Sequence, residues 1–336
     1  MFLRIIFITL FLCSPAFAWT KSTIGSGGDY STVSAWLAVV SGATSGDYEA
    51  ELISDISDAY AITGVTAGTN LWIHSAAGHH YKITASAANM MYVNQSTNAL
   101  SVLVEDIEFD ANGTGADSAW YLRRLTGPFI ANRCEIHNGT NYGVDIENTA
   151  LANTPDLKFE NVLIYDFDAE GIYVGAPSIA QEIVLRNTGV YGCLKGIFVS
   201  NTANITITFD NSWFLNNGSN DIHIQDDLPT VSLTNCVLSN AAVNGTVPDT
   251  ASNNAYTKTD YASYFVDPGV DFHLLADDNT LWGIDGNAGT TPTLDLDGVT
   301  RTSGDIGPYD FVSAVGPILI PNLSGNLNQN LSGNLQ

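Results

Sequence analysis

The stretch Tyr165-Asp-Phe-Asp-Ala-Glu-Gly171 places Asp166, Asp168 and Glu170 at alternate positions. Carboxylates in that pattern can converge on one Ca²⁺, a hard cation that takes about six to eight oxygen ligands. A cation held there would neutralise a uronate sugar, and a basic side chain would then remove the neighbouring proton; Lys195 and Arg186 are the candidate bases. Hydrolysis asks for two carboxylates instead, ~5.5 Å apart or ~6.5–9.5 Å apart according to stereochemistry, and Asp145 with Asp166 or Asp168 is the candidate pair. His137 and Tyr191 complete the set of possible catalytic groups. A second reading stands beside these: in so acidic a chain, an Asp-x-Asp-x-Glu loop is commonly solvated surface.

Whether such groups meet depends on the elements that carry them. From Asp106 to Ser239 the chain repeats about every 24–28 residues. Asn161, Asn187, Asn211 and Asn235 each follow a short alternating apolar run, at spacings of 26, 24 and 24. A second run follows each turn: Gly143–Ile146, Gly171–Val174, Gly196–Val199 and Asp221–Ile224. A fixed period of this length marks a stacked solenoid, and period-2 alternation makes its units strands. The chain therefore predicts an all-β fold, a single-stranded right-handed parallel β-helix with three short strands and three turns per coil. The repeated asparagine suits a left-handed turn residue, and its amide is expected to bond the next one in the stack. Extended upward, the register puts Asp106 and Arg133 at the ladder position, with a one-residue slip to Asn132 left open. The neighbouring coils would bring Asn138, Asn141 and Lys195 level with the acidic loop.

In a β-helix, function reads down columns. The residue four after each ladder position gives Asp110, His137, Tyr165, Tyr191, Leu215 and Ser239, a column expected to face solvent. The next strand gives Tyr121, Asp145, Tyr173, Phe198 and His223. Tyr121, Tyr165, Tyr173, Tyr191, Phe198 and His223 are thus candidate ligand-binding residues, because stacked rings offer flat apolar faces to sugars or to a partner surface. Cross-strand pairing that only stabilises the sheet is the plainer explanation of the same rings. Glu160, Arg186 and Asp210 form a charge ladder.

Residues 1–18 have the pattern of a secretory leader: Arg4, the apolar run Ile5–Leu12, and Ala16-Phe17-Ala18. A secreted protein is expected, extracellular or associated with a cell surface or a virion, with no membrane span. Lys and Arg number 11 against 35 Asp and Glu, a formal charge of −24. That field repels nucleic acid, and it disfavours a polyanionic substrate unless bound cations invert the local sign. Cys134, Cys193 and Cys236 read as buried filler. The six histidines show no zinc-ligand spacing. Thr32 or Ser31 can cap a helix over about 31–42 that puts Val33, Trp36, Leu37 and Val40 on one face and covers the open end of the coil. Residues 19–311 are expected to form the β-helix domain. Residues 312–336, with Asn322-Leu-Ser-Gly-Asn-Leu327 repeated at Asn330–Leu335, are expected to form an arm.

Gly25-Ser-Gly-Gly-Asp-Tyr-Ser-Thr-Val-Ser-Ala-Trp36 resembles the opening of pectin-lyase-like β-helix proteins. Leu294-Asp-Leu-Asp-Gly-Val-Thr-Arg301 with Asp305-Ile-Gly-Pro-Tyr-Asp-Phe311 resembles the closing segment of secreted bacterial and phage-associated members, with Pro308 and Asp310 in place of the commoner Ala and Glu. The resemblance implies the fold. It leaves activity open, because the group holds lyases, hydrolases, adhesins and phage spikes. The ordered Asn-Thr-Asp, Asp-Asp and Gly-His-Gly series of polygalacturonase-like enzymes is missing; Asp226-Asp227 and Gly78-His-His80 are isolated fragments. The expected function is a non-enzymatic surface protein that binds glycans or protein partners along its aromatic columns. The alternatives are a polysaccharide lyase or glycoside hydrolase, with Ca²⁺ as the possible cofactor, and a homo-oligomer joined through its arm.

Overall fold

The computed structural model describes residues 19–41, 46–65, 69–95, 100–112, 118–147, 156–175, 181–200, 205–225, 229–239, 250–252, 254, 258–276, 294–301 and 305–310. The proposed leader and arm lie outside them. The chain winds as a right-handed parallel β-helix with three faces. The first face runs ten strands deep from Thr20–Ile24 through Gly46–Leu52, Thr69–Ser75 and onward to Thr250–Ser252. The second follows each first-face strand past a sharp turn and includes Ile56–Asp58, Tyr81–Ala85, Gly189–Tyr191 and Trp213–Leu215. The third is a separate seven-stranded sheet from Tyr60–Thr63 to Asn220–Ile224.

From Asp106 to Asn235, each turn from first to second face holds one left-handed residue. Asn161, Asn187, Asn211 and Asn235 have φ between 49° and 52°, and Asp106 and Arg133 sit in register above them at 57° and 51°. The ladder position in that coil is therefore Arg133, and the slip to Asn132 is excluded. Asn132 faces outward and donates to Glu105 at 2.8 Å, while Arg133 grips Asp106 through two bonds of 2.6 and 2.9 Å.

The expected amide-to-amide ladder is not continuous. Asn161 Nδ2 reaches Asn132 Oδ1 at only 3.4 Å, and the side-chain nitrogen and oxygen of Asn187 meet no partner among the described residues. The turns are satisfied by backbone instead: Asn187 N donates to Asp210 O at 3.0 Å and Asn211 N to Thr234 O at 3.1 Å. Asparagine is thus explained here by its tolerance of positive φ. A second left-handed set, Asn112, Asn138, Asp166, Gly192 and Asn216, makes the next turn, onto the third face.

Inside, like residues stack coil on coil. Leu71, Val102, Phe129, Leu157, Ile183, Ile207 and Val231 form one register-paired column, and all are buried. The three described cysteines are free and buried, and burial pushes each thiol well up. One end is closed by helix α1, Val33–Val40, whose Val33, Trp36, Leu37 and Val40 are all buried. Thr32 caps it, accepting from Ala35 N at 3.2 Å, and Ser34 N at its first turn donates to the buried Asp58 carboxylate at 2.9 Å.

The closing motif does not form another coil. Residues 258–276, 294–301 and 305–310 make a strap laid along the side of the helix. Arg301 is its clasp: one guanidinium nitrogen donates to Asn161 Oδ1 (3.0 Å), Gly307 O (2.7 Å) and Pro308 O (2.9 Å). Asn161 Nδ2 answers with a 2.8 Å bond to Leu294 O, and Gly307 N donates to Asn211 O at 2.8 Å. The ladder turns thereby serve as the docking rail for the strap.

Candidate functional site

The third face carries one outward row, in register from strand to strand: Tyr92, Tyr121, Asp145, Tyr173, Phe198 and His223. Register alone holds successive members about one strand spacing apart, ~4.8 Å. Tyr92 stacks on Tyr121 with centroids 5.3 Å apart, Tyr173 on Phe198 at 5.6 Å, and Phe198 meets His223 edge-on at 4.9 Å. Tyr142 leans onto Tyr173 at 4.8 Å. All these rings are half-buried, so each leaves part of its surface to solvent.

Asp145 interrupts the row between Tyr121 and Tyr173. It is only 8 % exposed, and Ser118 Oγ donates to it at 3.4 Å. More charge surrounds it: Tyr121 donates to Glu147 at 2.6 Å, and Lys195 pairs with Glu170 at 2.6 Å while lying 4.3 Å above the Phe198 ring. Burial, followed by neighbouring carboxylates, raises the phenols of Tyr121 and Tyr142. Burial also raises Tyr173, so the row keeps its hydroxyl protons. Burial and then Lys195 lower His223, which favours its neutral ring. The result is a flat track of uncharged rings and hydroxyls, with hydrogen-bond-accepting carboxylates set into it. Stacking on the rings and hydrogen bonding to the carboxylates are both available to a sugar chain lying along the axis.

The column on the second face corrects an expectation. Its register is as read, His137 beside Asp110 and Tyr165, Tyr165 beside Tyr191, Tyr191 beside Leu215. Its exposure is only partial, because the strap packs on Tyr165 and Tyr191, which stay half-buried, and Leu215 is buried. Phe272 packs on Tyr165 at 5.2 Å, on Tyr191 at 5.0 Å and on Trp213 at 5.8 Å, and Leu215 is fully buried. Leu163, Trp213, Leu215, Val237, Phe265, Phe272, Leu274, Leu296, Ile306 and Tyr309 form a second apolar core outside the coil. Trp213 is seated between two glycines: a Cβ at either Gly189 or Gly307 would collide with its indole. Tyr165 and Tyr191 are therefore strap-packing residues.

Above the strap the same face stays open. A cleft of about 270 Å³ is lined by Asp55, His79, His80, Tyr81, Lys82 and Glu108. Glu108 is paired with His137 at 3.0 Å and Lys82 at 3.2 Å, and these two outweigh burial to hold its carboxyl low. A carboxylate so committed is not placed to donate a proton.

The structure does not gather the catalytic candidates. His137 and Tyr191 lie on the second face, and Asp145 and Lys195 on the third. Asp166 occupies the left-handed turn between those faces, and both it and Asp168 are exposed. The Ca²⁺ reading is corrected as well. Glu170 is buried and bound to Lys195, Phe167 points inward between the two aspartates, and the three carboxylates do not converge. Among the described residues the one such group is Glu49, Glu51 and His74, with ligand atoms all within 4.8 Å of one another. Arg186 is held by Glu160 at 3.0 Å and lies 3.7 Å from Asp210, which makes it a rung of the charge ladder. Sequence reasoning passed over Tyr92, Tyr142 and Glu147. Counting one more coil upward from Tyr121 reaches Tyr92.

No protein-family profile matches the chain, and no curated protein does. Among solved structures it is similar to a pectate lyase, with 12 % identity, a TM-score of 0.37, and coverage of 82 % of this chain and 90 % of that one. It is also similar to the pectin methylesterase from Aspergillus niger, with 16 % identity, a TM-score of 0.36, and coverage of 80 % and 95 %. At these identities neither likeness bears on chemistry.

Proposed function

We propose that this protein engages an uncharged polysaccharide, laid lengthwise on the third face over Tyr92, Tyr121, Tyr142, Tyr173, Phe198 and His223. The observation that carries this reading is the aromatic row, uncovered among the described residues, with Asp145 set into it. Carboxylates at Asp145, Glu147 and Glu170, within a chain of net charge −24, oppose a polyuronate and suit a neutral sugar polymer. Binding is the primary activity on this reading, and its setting is outside the cell. A second reading, cleavage of the same polymer, is favoured by one observation: Asp145 sits in the row between Tyr121 and Tyr173, where its carboxyl group would meet a sugar lying along it.

Affinity electrophoresis against neutral and acidic polysaccharides, with reducing ends and unsaturated ends followed in parallel, tests both readings. Retardation by a neutral polymer without new ends supports binding alone. New reducing ends that vanish in Asp145→Asn support hydrolysis. Unsaturated ends that depend on Ca²⁺ would contradict the neutral-polymer assignment, and no retardation by any polymer would sink the proposal.

A further inference from the structure

The first face carries a cluster that the third-face reading does not use. Lys21, Glu49, Glu51, Trp72 and His74 come from three successive coils, with Lys21 beside Glu49, Glu49 beside Trp72, and Glu51 beside His74. His74 is 7 % exposed and Glu49 8 %. Trp72 stacks on the imidazole with centroids 4.0 Å apart, and Trp19 packs edge-on against Trp72 at 5.8 Å, so the ring orientation is fixed by packing.

The hydrogen bonds define what each imidazole nitrogen offers. Nδ1 lies 2.7 Å from Ser75 O, and a carbonyl only accepts, so Nδ1 carries a proton. Nε2 faces Glu49 Oε1 at 3.1 Å. A lone pair cannot rest against a carboxylate oxygen, so a positive centre must lie between them: a second proton or a cation. A ring N–H donated to a backbone carbonyl while the other nitrogen faces carboxylates is the outer-shell arrangement of a metal-binding histidine. Glu51 completes a His-plus-two-carboxylate set, which suits Zn²⁺ or a similar divalent transition metal with a position left for water. Glu105, the next residue along the His74 column, is engaged by Asn132 and approached by Arg133, so it stands outside the set.

We infer that Glu49, Glu51 and His74 form a divalent transition-metal site whose metal-free state is filled by the Lys21 ammonium. Lys21 Nζ lies 2.6 Å from Glu51 and 3.4 Å from Glu49, with its side chain about half exposed, so it can swing into solvent when a dication replaces it. The lysine acts as a built-in competitor and sets the affinity.

The test is calorimetric titration of Zn²⁺ into the chelator-treated protein in excess Mg²⁺, which occupies the general acidic surface. Co²⁺ is titrated alongside and read by its visible absorption and its quenching of tryptophan emission. One Zn²⁺ per chain is expected, with affinity falling in His74→Gln by more than the ~10–100-fold that loss of an outer-shell partner costs. Lys21→Met should tighten binding, because it removes the competing charge without touching a ligand. Equal Zn²⁺ affinity in the wild type and His74→Gln would overturn the site. So would a Lys21→Met protein, which keeps its core intact whatever becomes of His74→Gln, binding no more tightly than the wild type.

Discussion

Two aromatic columns with the same sequence signature have opposite fates. Tyr165 and Tyr191 on the second face, and Tyr173 and Phe198 on the third, each put rings on adjacent coils. The second-face pair is packed by Phe272 and lies against the second core, although both rings stay half-buried. The third-face pair is covered by nothing among the described residues and stays half-exposed. The deciding difference lies in the residues beside the rings. Next to Tyr165 and Tyr191 the second face offers Leu163, Gly189 and Trp213, an apolar bed with a slot for an indole. Next to Tyr173 and Phe198 the third face offers Glu170 and Lys195, whose ion pair would have to be desolvated under a strap. An aromatic column is thus packed over or left open according to its flank.

The comparison is broken most severely at Trp213. Trp213→Ala empties the centre of the outer core and should cost about 3–5 kcal/mol, read as a lower denaturation midpoint. Gly189→Ala pushes a methyl into the same indole and should cost about 1–3 kcal/mol, with the strap rather than the coil losing amide-exchange protection. A smaller effect follows from pH. Burial pulls His273 down, but Asp297 at 2.6 Å and Asp271 at 2.5 Å outweigh it and push the imidazole up to about 9. A histidine raised in the folded state stabilises fully below its unfolded value and loses that contribution as pH rises through about 9. Asp295, raised mainly by burial to about 6, works the same way: its cost in the charged form is relieved as pH falls below that value. Strap protection should therefore grow as pH is lowered from 9 towards 5, and His273→Gln should flatten the upper part of that curve. The smallest stability effect belongs to the other column, where Tyr173→Ala with Phe198→Ala should cost no more than about 1–2 kcal/mol, the loss of partly exposed stacking.

Much of the coil was legible from residue spacing because a solenoid repeats its own environment. Asn161, Asn187, Asn211 and Asn235 occupy like turns, so one physical requirement, positive φ, recurs at one period. The second set of left-handed residues was harder to see because Asn112, Asn138 and Asn216 are interrupted by Asp166 and Gly192, so no single residue type recurs at every coil. The strap's closing motif was legible, but its docking was not. Arg301 finds Asn161 across 140 residues, a contact with no periodicity behind it, and the two patches that meet there are ordinary alone. The same limit explains the acidic loop. Alternation suggested that Asp166, Asp168 and Glu170 could converge, but Asp166 sits in a left-handed turn and Lys195, one coil on, holds the buried Glu170. The Glu49–Glu51–His74 group escaped a search for zinc-ligand spacing because His74 lies about a full coil from the two glutamates.

The central claim is that the third-face row is a binding track and the second-face column is not. The most direct measurement is the affinity of a retained neutral polysaccharide for the wild type and for the Tyr173→Ala/Phe198→Ala protein, each with its melting curve. The predicted result is binding weakened at least ~10-fold by the loss of two stacking surfaces, while the melting transition stays cooperative. Undiminished binding by the double variant would contradict the account.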